Sequence, residues 1–180
     1  MAEEIFVGLG SNLGEPEENV ARAAEALTSL AGCECLRQSA IYMSSPQGYT
    51  EQPWFANAVI CLALHSTETP QAFLTRLLEL EGRLGRVRDG VQRFGPRRID
   101  LDLLLFGQRT LSDTFCTLPH PRMLQRAFVL CPLHEIAPDL VICGKTASEH
   151  LAGLDWHREG LRIFQESHTD ADLAMPAKMV

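Results

Sequence analysis

Lysine is almost missing from this 180-residue chain: Lys145 and Lys178 stand alone, so fourteen of the sixteen basic residues are arginine. Phosphate contacts would therefore rest on planar, multidentate guanidinium groups. No apolar run approaches the ~20 residues of a membrane span, and no basic segment followed by an apolar signal region opens the chain. A cytoplasmic protein with no membrane partner is expected. No C-x-x-C pair occurs among Cys33, Cys35, Cys61, Cys116, Cys131 and Cys143, several of which sit in apolar runs where a reduced thiol packs well. This speaks against a zinc site and against a disulfide framework. Aromatic residues make up only 7% and are not interleaved with basic ones, and the net charge is −7. Both features argue against a nucleic-acid partner.

With 46% hydrophobic residues, the chain is long enough for one well-buried core. A single domain over residues 1–165 is expected, monomeric, with residues 166–180 as a disordered tail. Residues 5–9 have the pattern of a strand, and 16–31 that of a helix with Val20, Ala24, Leu27 and Ala31 on one face. Between them, Gly8-Leu9-Gly10-Ser11-Asn12-Leu13-Gly14 lacks the ending of a phosphate loop. It is taken as a structural turn, with Ser11 or Asn12 available to satisfy backbone donors before the helix. Strands follow at 35–42 and 55–65, joined by a loop long enough to bind something. A helix opened by Pro70 carries Phe73, Leu77, Leu80 and Leu84, and a further strand starts near residue 99.

The order β-α-β-β-α-β predicts an α+β fold with a ferredoxin-like core, helices on one sheet face and the other face free for ligands. Additional elements come after it: a helix at 127–136, a short strand at 141–142 and a last helix at 146–154.

Charge is unevenly placed. Arg83, Arg86, Arg88, Arg93, Arg97 and Arg98 fall within sixteen residues that hold one acid, Asp89, which suggests a small anionic ligand. Directly after them, Ile99, Leu101, Leu103 and Leu105 have the period of a strand, so Asp100 and Asp102 project from its opposite face, roughly 6 to 7 Å apart. Two such carboxylates can share hard cations such as Mg²⁺ with phosphates and water. A solvated strand face has the same pattern, and the residues alone leave both readings open.

Five blocks, in order, carry a resemblance: residues 8–14, Phe55-Ala56-Asn57-Ala58, Gly85-Arg86-Val87-Arg88, Phe94-Gly95-Pro96-Arg97-Arg98-Ile99-Asp100-Leu101-Asp102, and Leu118-Pro119-His120-Pro121-Arg122-Met123. From about residue 4 to 143 the chain resembles the 6-hydroxymethyl-7,8-dihydropterin pyrophosphokinases of folate biosynthesis. The resemblance implies transfer of diphosphate from ATP to the pterin's hydroxymethyl oxygen, with two Mg²⁺ ions held by Asp100 and Asp102 and with ATP as co-substrate. It assigns catalysis to Arg86, Arg97, Asp100 and Asp102. ATP contacts fall on Arg88, Arg93, Arg97, Leu103, Thr117, His120 and Arg126. Pterin contacts fall on Ser44, Ser45, Gln47, Gly48, Phe55, Asn57, Phe94, Asp100 and Phe128. Gln47 stands where an apolar residue is common and Phe94 where tryptophan is common, so loop closure over the pterin can differ here. Glu81 matches a recurrent acid whose role is open between support of the site and helix surface. The competing reading is a non-catalytic, ferredoxin-like module that binds a nucleotide and regulates a partner.

Overall fold

Alternation at Ile5, Val7 and Leu9 buries one face of the first strand and begins a mixed α/β architecture, an antiparallel sheet with four α-helices among the described residues. A computed structural model describes residues 2–46, 51–86, 95–154 and 163–165. In chain order the elements are β1 (Glu3–Ser11), α1 (Pro16–Thr28), β2 (Cys33–Gln38), β3 (Tyr42–Ser44), β4 (Phe55–Leu64), α2 (Pro70–Arg83) and β5 (Asp100–Phe106). The ribbon of β6 (Leu111–Ser112) and β7 (Thr117–Leu118) comes next, then α3 (Ala127–Ile136), β8 (Val141–Ile142), β9 (Lys145–Thr146), α4 (Ala147–Ala152) and β10 (Ile163–Gln165). The tail expected at 166–180 lies outside the described residues. No helix among the described residues is long and apolar enough to cross a membrane.

β1 is an inner strand, antiparallel to β4 on one side and to the edge strand β5 on the other. The far edge of β4 takes both β2 and β3, and β10 pairs with β3 beyond it. The single strand expected over 35–42 is thus two, with Ser39 at the break. Its N–H donates to Val59 O (3.0 Å) and its hydroxyl accepts from Val59 N (3.0 Å), so the strand neighbour stays satisfied while the chain bends. The first helix stops at Thr28, short of the predicted 31, and Gly32 at φ +76° turns the chain into β2. Pro70 occupies the first turn of α2, where its missing N–H costs nothing, and the Thr69 hydroxyl accepts from Ala72 N (3.2 Å).

α1 and α2 cover one sheet face, where Val20, Leu27, Phe73 and Leu77 pack on Ile5, Val7, Ile60, Leu101 and Leu103. The other face is only partly free, which corrects the expectation of an open sheet. Val129, Leu130 and Leu133 of α3, with Ala147 of α4, bury Phe6, Val59, Cys61, Leu104 and Leu105. α3 had the right bounds in the sequence, but its docking depends on contacts far apart in the chain. A register shift adds a second correction. Val7 pairs with Leu103 and Phe6 with Leu105, so Leu104 is the extra residue of a bulge and Leu105 leaves the face of Leu101 and Leu103 for the α3 side.

Candidate active site

The uncovered part of the second face lies over two glycines. Gly10 is paired with Asn57 on one side and Asp100 on the other; Gly8 is paired with Val59 and Asp102. Residues opposite one another in an antiparallel ladder point to the same face. The missing side chains of β1 therefore leave a trough between Asn57 and the two aspartates. A cavity of about 360 Å³ occupies it, within the range of small-molecule sites. This corrects the reading of residues 8–14 as a turn: Gly8 and Gly10 are strand residues that floor the cavity, and only Gly14, at φ +67°, serves a turn. Neither Ser11 nor Asn12 serves the backbone donors of the helix itself. α1 starts from Glu15 with no side-chain cap, while Asn19 Nδ2 donates to Ser11 Oγ (3.2 Å) and Leu13 O (2.8 Å).

Asn12 instead clasps the two segments that wall the cavity. Its Nδ2 donates to Gln52 Oε1 (3.0 Å) and Pro53 O (3.2 Å), and its Oδ1 accepts from Arg97 N (2.8 Å). The Asn12 N–H returns to Arg97 O (3.0 Å).

Phe55 and Phe128 both line the cavity, each carrying a guanidinium: Arg97 sits 5.4 Å from the Phe55 ring centroid and Arg126 5.4 Å from that of Phe128. Asn57 is buried, and its Nδ2 donates to Tyr42 O (3.2 Å), Ser44 Oγ (2.9 Å) and Phe55 O (3.2 Å). With its amide nitrogen so held, its Oδ1 faces the Gly10 floor, 3.8 Å from where a Cβ there would sit.

Four cationic or imidazole groups surround the carboxylate pair. Asp100 is ion-paired with Arg86 and lies 2.9 Å from Arg97 Nε. That Nε is buried without a hydrogen-bond partner, the one such side-chain atom among the described residues, so it is a donor in want of an aligned acceptor at the cavity wall. Asp102 lies 3.7 Å from Arg126 Nη1 and 4.0 Å from His120 Nε2. Burial, then the charge of Asp100, pushes the Asp102 carboxyl above its usual range against the pull of His120, Arg126 and Arg97. Burial pushes the His120 imidazole below its usual range, with Arg126 and Arg122 adding to it against the opposing pull of Asp102. Arg126 is likewise pushed down by burial and by Arg122. Burial also opposes the charge on Arg86, but Asp100 and Glu81 outweigh it and raise that guanidinium.

The structure thus brings Ser44, Ser45, Phe55, Asn57, Arg97, Asp100, Asp102, Arg126 and Phe128 to one cavity. Arg86 and His120 reach the aspartates without lining it. Thr117 pairs with Ser112 in the β6–β7 ribbon and is not at the cavity wall. Leu103, assigned to the nucleotide by resemblance, has its side chain buried in the core under α1 and α2, because strand alternation turns it away from Asp102. Gln47, Gly48, Arg88, Arg93 and Phe94 lie outside the described residues. Gly8, Gly10, Gln52, Arg122 and Gln125 join the lining without having been foreseen. Arg122 lies within a block of the resemblance that assigns it no role, and the glycines carry no side-chain pattern to read. Among the described residues, no three His, Cys, Asp or Glu side chains converge to hold a metal ion by themselves. A cation at Asp100 and Asp102 would need oxygen ligands from a substrate or water.

The family model described as 7,8-dihydro-6-hydroxymethylpterin-pyrophosphokinase (HPPK) matches residues 6–138. A 2-amino-4-hydroxy-6-hydroxymethyldihydropteridine pyrophosphokinase of Methylorubrum extorquens is 45% identical over 150 residues, covering 83% of this chain and 92% of that protein. Its namesake from Pseudomonas aeruginosa is 43% identical over 140 residues, covering 78% and 84%. Among solved structures, wild-type Plasmodium falciparum HPPK-DHPS matches with a TM-score of 0.64 at 10% identity, over 84% of this chain and 44% of that one. An HPPK-DHPS in complex with substrates gives 0.68 at 13%, over 84% and 43%. These two likenesses are of fold, and this chain spans less than half the length of either.

Proposed function

We propose an activity from one premise: this chain belongs to the 7,8-dihydro-6-hydroxymethylpterin-pyrophosphokinase family, whose model spans residues 6–138. The activity is Mg²⁺-dependent transfer of the β,γ-diphosphate of ATP to the hydroxymethyl oxygen of 6-hydroxymethyl-7,8-dihydropterin, a step of folate biosynthesis. That oxygen bonds to the β-phosphorus, the bond from this phosphorus to the α,β-bridging oxygen breaks, the hydroxyl proton goes to solvent, and AMP leaves. The observation that carries the reading is the strand register, which sets Asn57, Gly10 and Asp100 in one row. A flat ring read by Asn57 and lying on the glycine floor then ends beside the carboxylates.

In this reading Phe55 and Phe128 supply apolar faces for the bicyclic ring, and Asn57 Oδ1 accepts from its N–H edge. Ser44 and Ser45 complete that end, with Gln47, Gly48 and Phe94 assigned there by resemblance. Arg86 and Arg97 meet the charge that develops on the transferring phosphoryl group, which favours the transition state over the ground state. Arg126, His120, Thr117 and the backbone at Leu103 serve the nucleotide, with Arg88 and Arg93 assigned to it by resemblance.

Asp100 and Asp102 fit Mg²⁺: they are hard oxygen donors on one face, two residues apart, and they line a cavity where phosphates and water can complete an octahedral shell. When bound, two such ions neutralise the triphosphate and polarise its oxygens. The rest of the work is positioning by the chain's own residues. The ferredoxin-like reading of the core belongs to the same proposal, supported by the order β3-β4-β1-β5 with α1 and α2 on one face. So does a monomeric, cytoplasmic enzyme. Incubation with Mg-ATP and the pterin, followed by chromatography, is expected to give AMP and the pterin diphosphate in equal amounts. ADP alone, or nucleotide binding without pterin-dependent AMP, overturns the reading and favours the non-catalytic module.

A further inference from the structure

Glu81 is placed where neither folding rule welcomes it. Its side chain is 1% exposed, and it stands in the last turns of α2, where the helix dipole disfavours an anion. The role of a solvated helix charge, left open by the sequence, is thereby excluded. Its Oε1 accepts from Leu101 N (2.7 Å), the residue between the two aspartates, and also takes the Arg86 guanidinium. Its backbone oxygen accepts the Arg86 N–H (3.0 Å). Residue 86 is thus tied to residue 81 by main chain and side chain at once, while its guanidinium also reaches Asp100.

We propose that Glu81 is a positioning residue: it anchors Arg86 beside Asp100 and fixes the β5 backbone between the two aspartates. The proposal rests on the reading of this cavity as a phosphoryl-transfer site. The two carboxylates that hold Arg86 are not equivalent. Asp100 lines the cavity and is the one that a cation would engage, whereas Glu81 is sealed behind the strand. When ligands take Asp100, the Glu81 contact remains and keeps Arg86 from swinging out to solvent. Parting a buried carboxylate from the guanidinium that neutralises it is costly, so the tether holds in both states.

The test is a double-mutant cycle on the full chain with Glu81→Gln, Arg86→Ala and the pair, reading both kcat for AMP release and the affinity for a nonhydrolysable ATP analogue with Mg²⁺. Gln keeps an acceptor for Leu101 N but removes the charge that holds Arg86. Glu81→Gln alone is expected to lower kcat by about 10²-fold, the cost of a displaced catalytic group, with the pterin KM little changed. In the Arg86→Ala background it is expected to do nothing more. Unchanged kcat in Glu81→Gln, or the same loss in both backgrounds, overturns the proposal. If Glu81→Gln does not fold, Glu81→Asp, which withdraws the carboxylate by one methylene, takes its place and the same outcomes decide. If the wild type releases no AMP, the functional reading fails separately, and coupling in the affinity cycle still decides whether Glu81 acts through Arg86.

Discussion

Adding one methyl group at Gly10 should strengthen the fold and weaken the site. Gly10 lies in β1 with ordinary extended backbone, and a Cβ built there has no neighbour closer than Asn57 Oδ1 at 3.8 Å. Alanine at a strand position also loses less backbone entropy than glycine, a gain of roughly 0.5 to 1 kcal/mol at most. The protein thus has room for the methyl, but the pterin does not: the group would stand on the cavity floor between Asn57 and Asp100, where the ring is proposed to lie. Overfilling a fitted site costs about 1 to 3 kcal/mol, which at 1.4 kcal/mol per decade is roughly 5- to 150-fold in affinity. Thermal unfolding of Gly10→Ala is expected at or above the wild-type midpoint. Pterin binding, followed by titration calorimetry, is expected to weaken by that factor. Wild-type pterin affinity in a folded Gly10→Ala protein would refute the glycine floor, and an unfolded variant would refute the account of the space above it.

Asp102→Asn is expected to lower kcat by at least about 10²-fold, as loss of one preorganised charge does, while the unfolding midpoint stays level or rises, since burial and Asp100 both oppose its charge. Near-normal AMP release in this variant would count against the metal assignment. Leu103→Ala is expected to cost about 2 to 5 kcal/mol in urea unfolding with the KM for ATP unaltered; a stable variant with weakened ATP use would contradict its placement in the core. Burial pushes the Cys131 thiol from 9.0 up to about 12, so above pH 9.0 the unfolded chain releases a proton that the folded one keeps. Stability should therefore fall as pH rises from 9.0, by up to about 1.4 kcal/mol per unit from this thiol, and Cys131→Ala should flatten the decline. A slope identical in variant and wild type would remove Cys131 as its source.

Local pattern revealed the elements and left their docking hidden. The leucines around Asp100 and Asp102 announced a strand and the face from which the carboxylates point, because alternation is a property of neighbouring residues. The bulge at Leu104 was invisible, since it comes from the register against β1 and not from β5 itself. Gly8 and Gly10 misled for a related reason: a glycine cluster near a helix start looks like a turn, and only cross-strand partners show it as the floor of a cavity. Glu81 did leave a mark. It falls eight residues after Phe73, on the stripe of Leu77 and Leu80, and an acid on an apolar helical stripe is a buried charge awaiting a reason. The docking of α3 left none, because it depends on contacts that no window of sequence contains.

The extra residue at Leu104 divides β5 into two halves that answer to different demands. Ahead of it, Asp100 and Asp102 keep step with Gly10 and Gly8; behind it, Leu105 turns to α3, and Phe106 meets Phe73 edge-on at a centroid distance of 6.1 Å. Straightening the strand with Leu104 kept and paired would leave the aspartates in phase with the glycines and exchange the sides taken by Leu105 and Phe106. The bulge acts as a joint in the strand's parity, across which the core can be rewritten without re-aiming the chemistry.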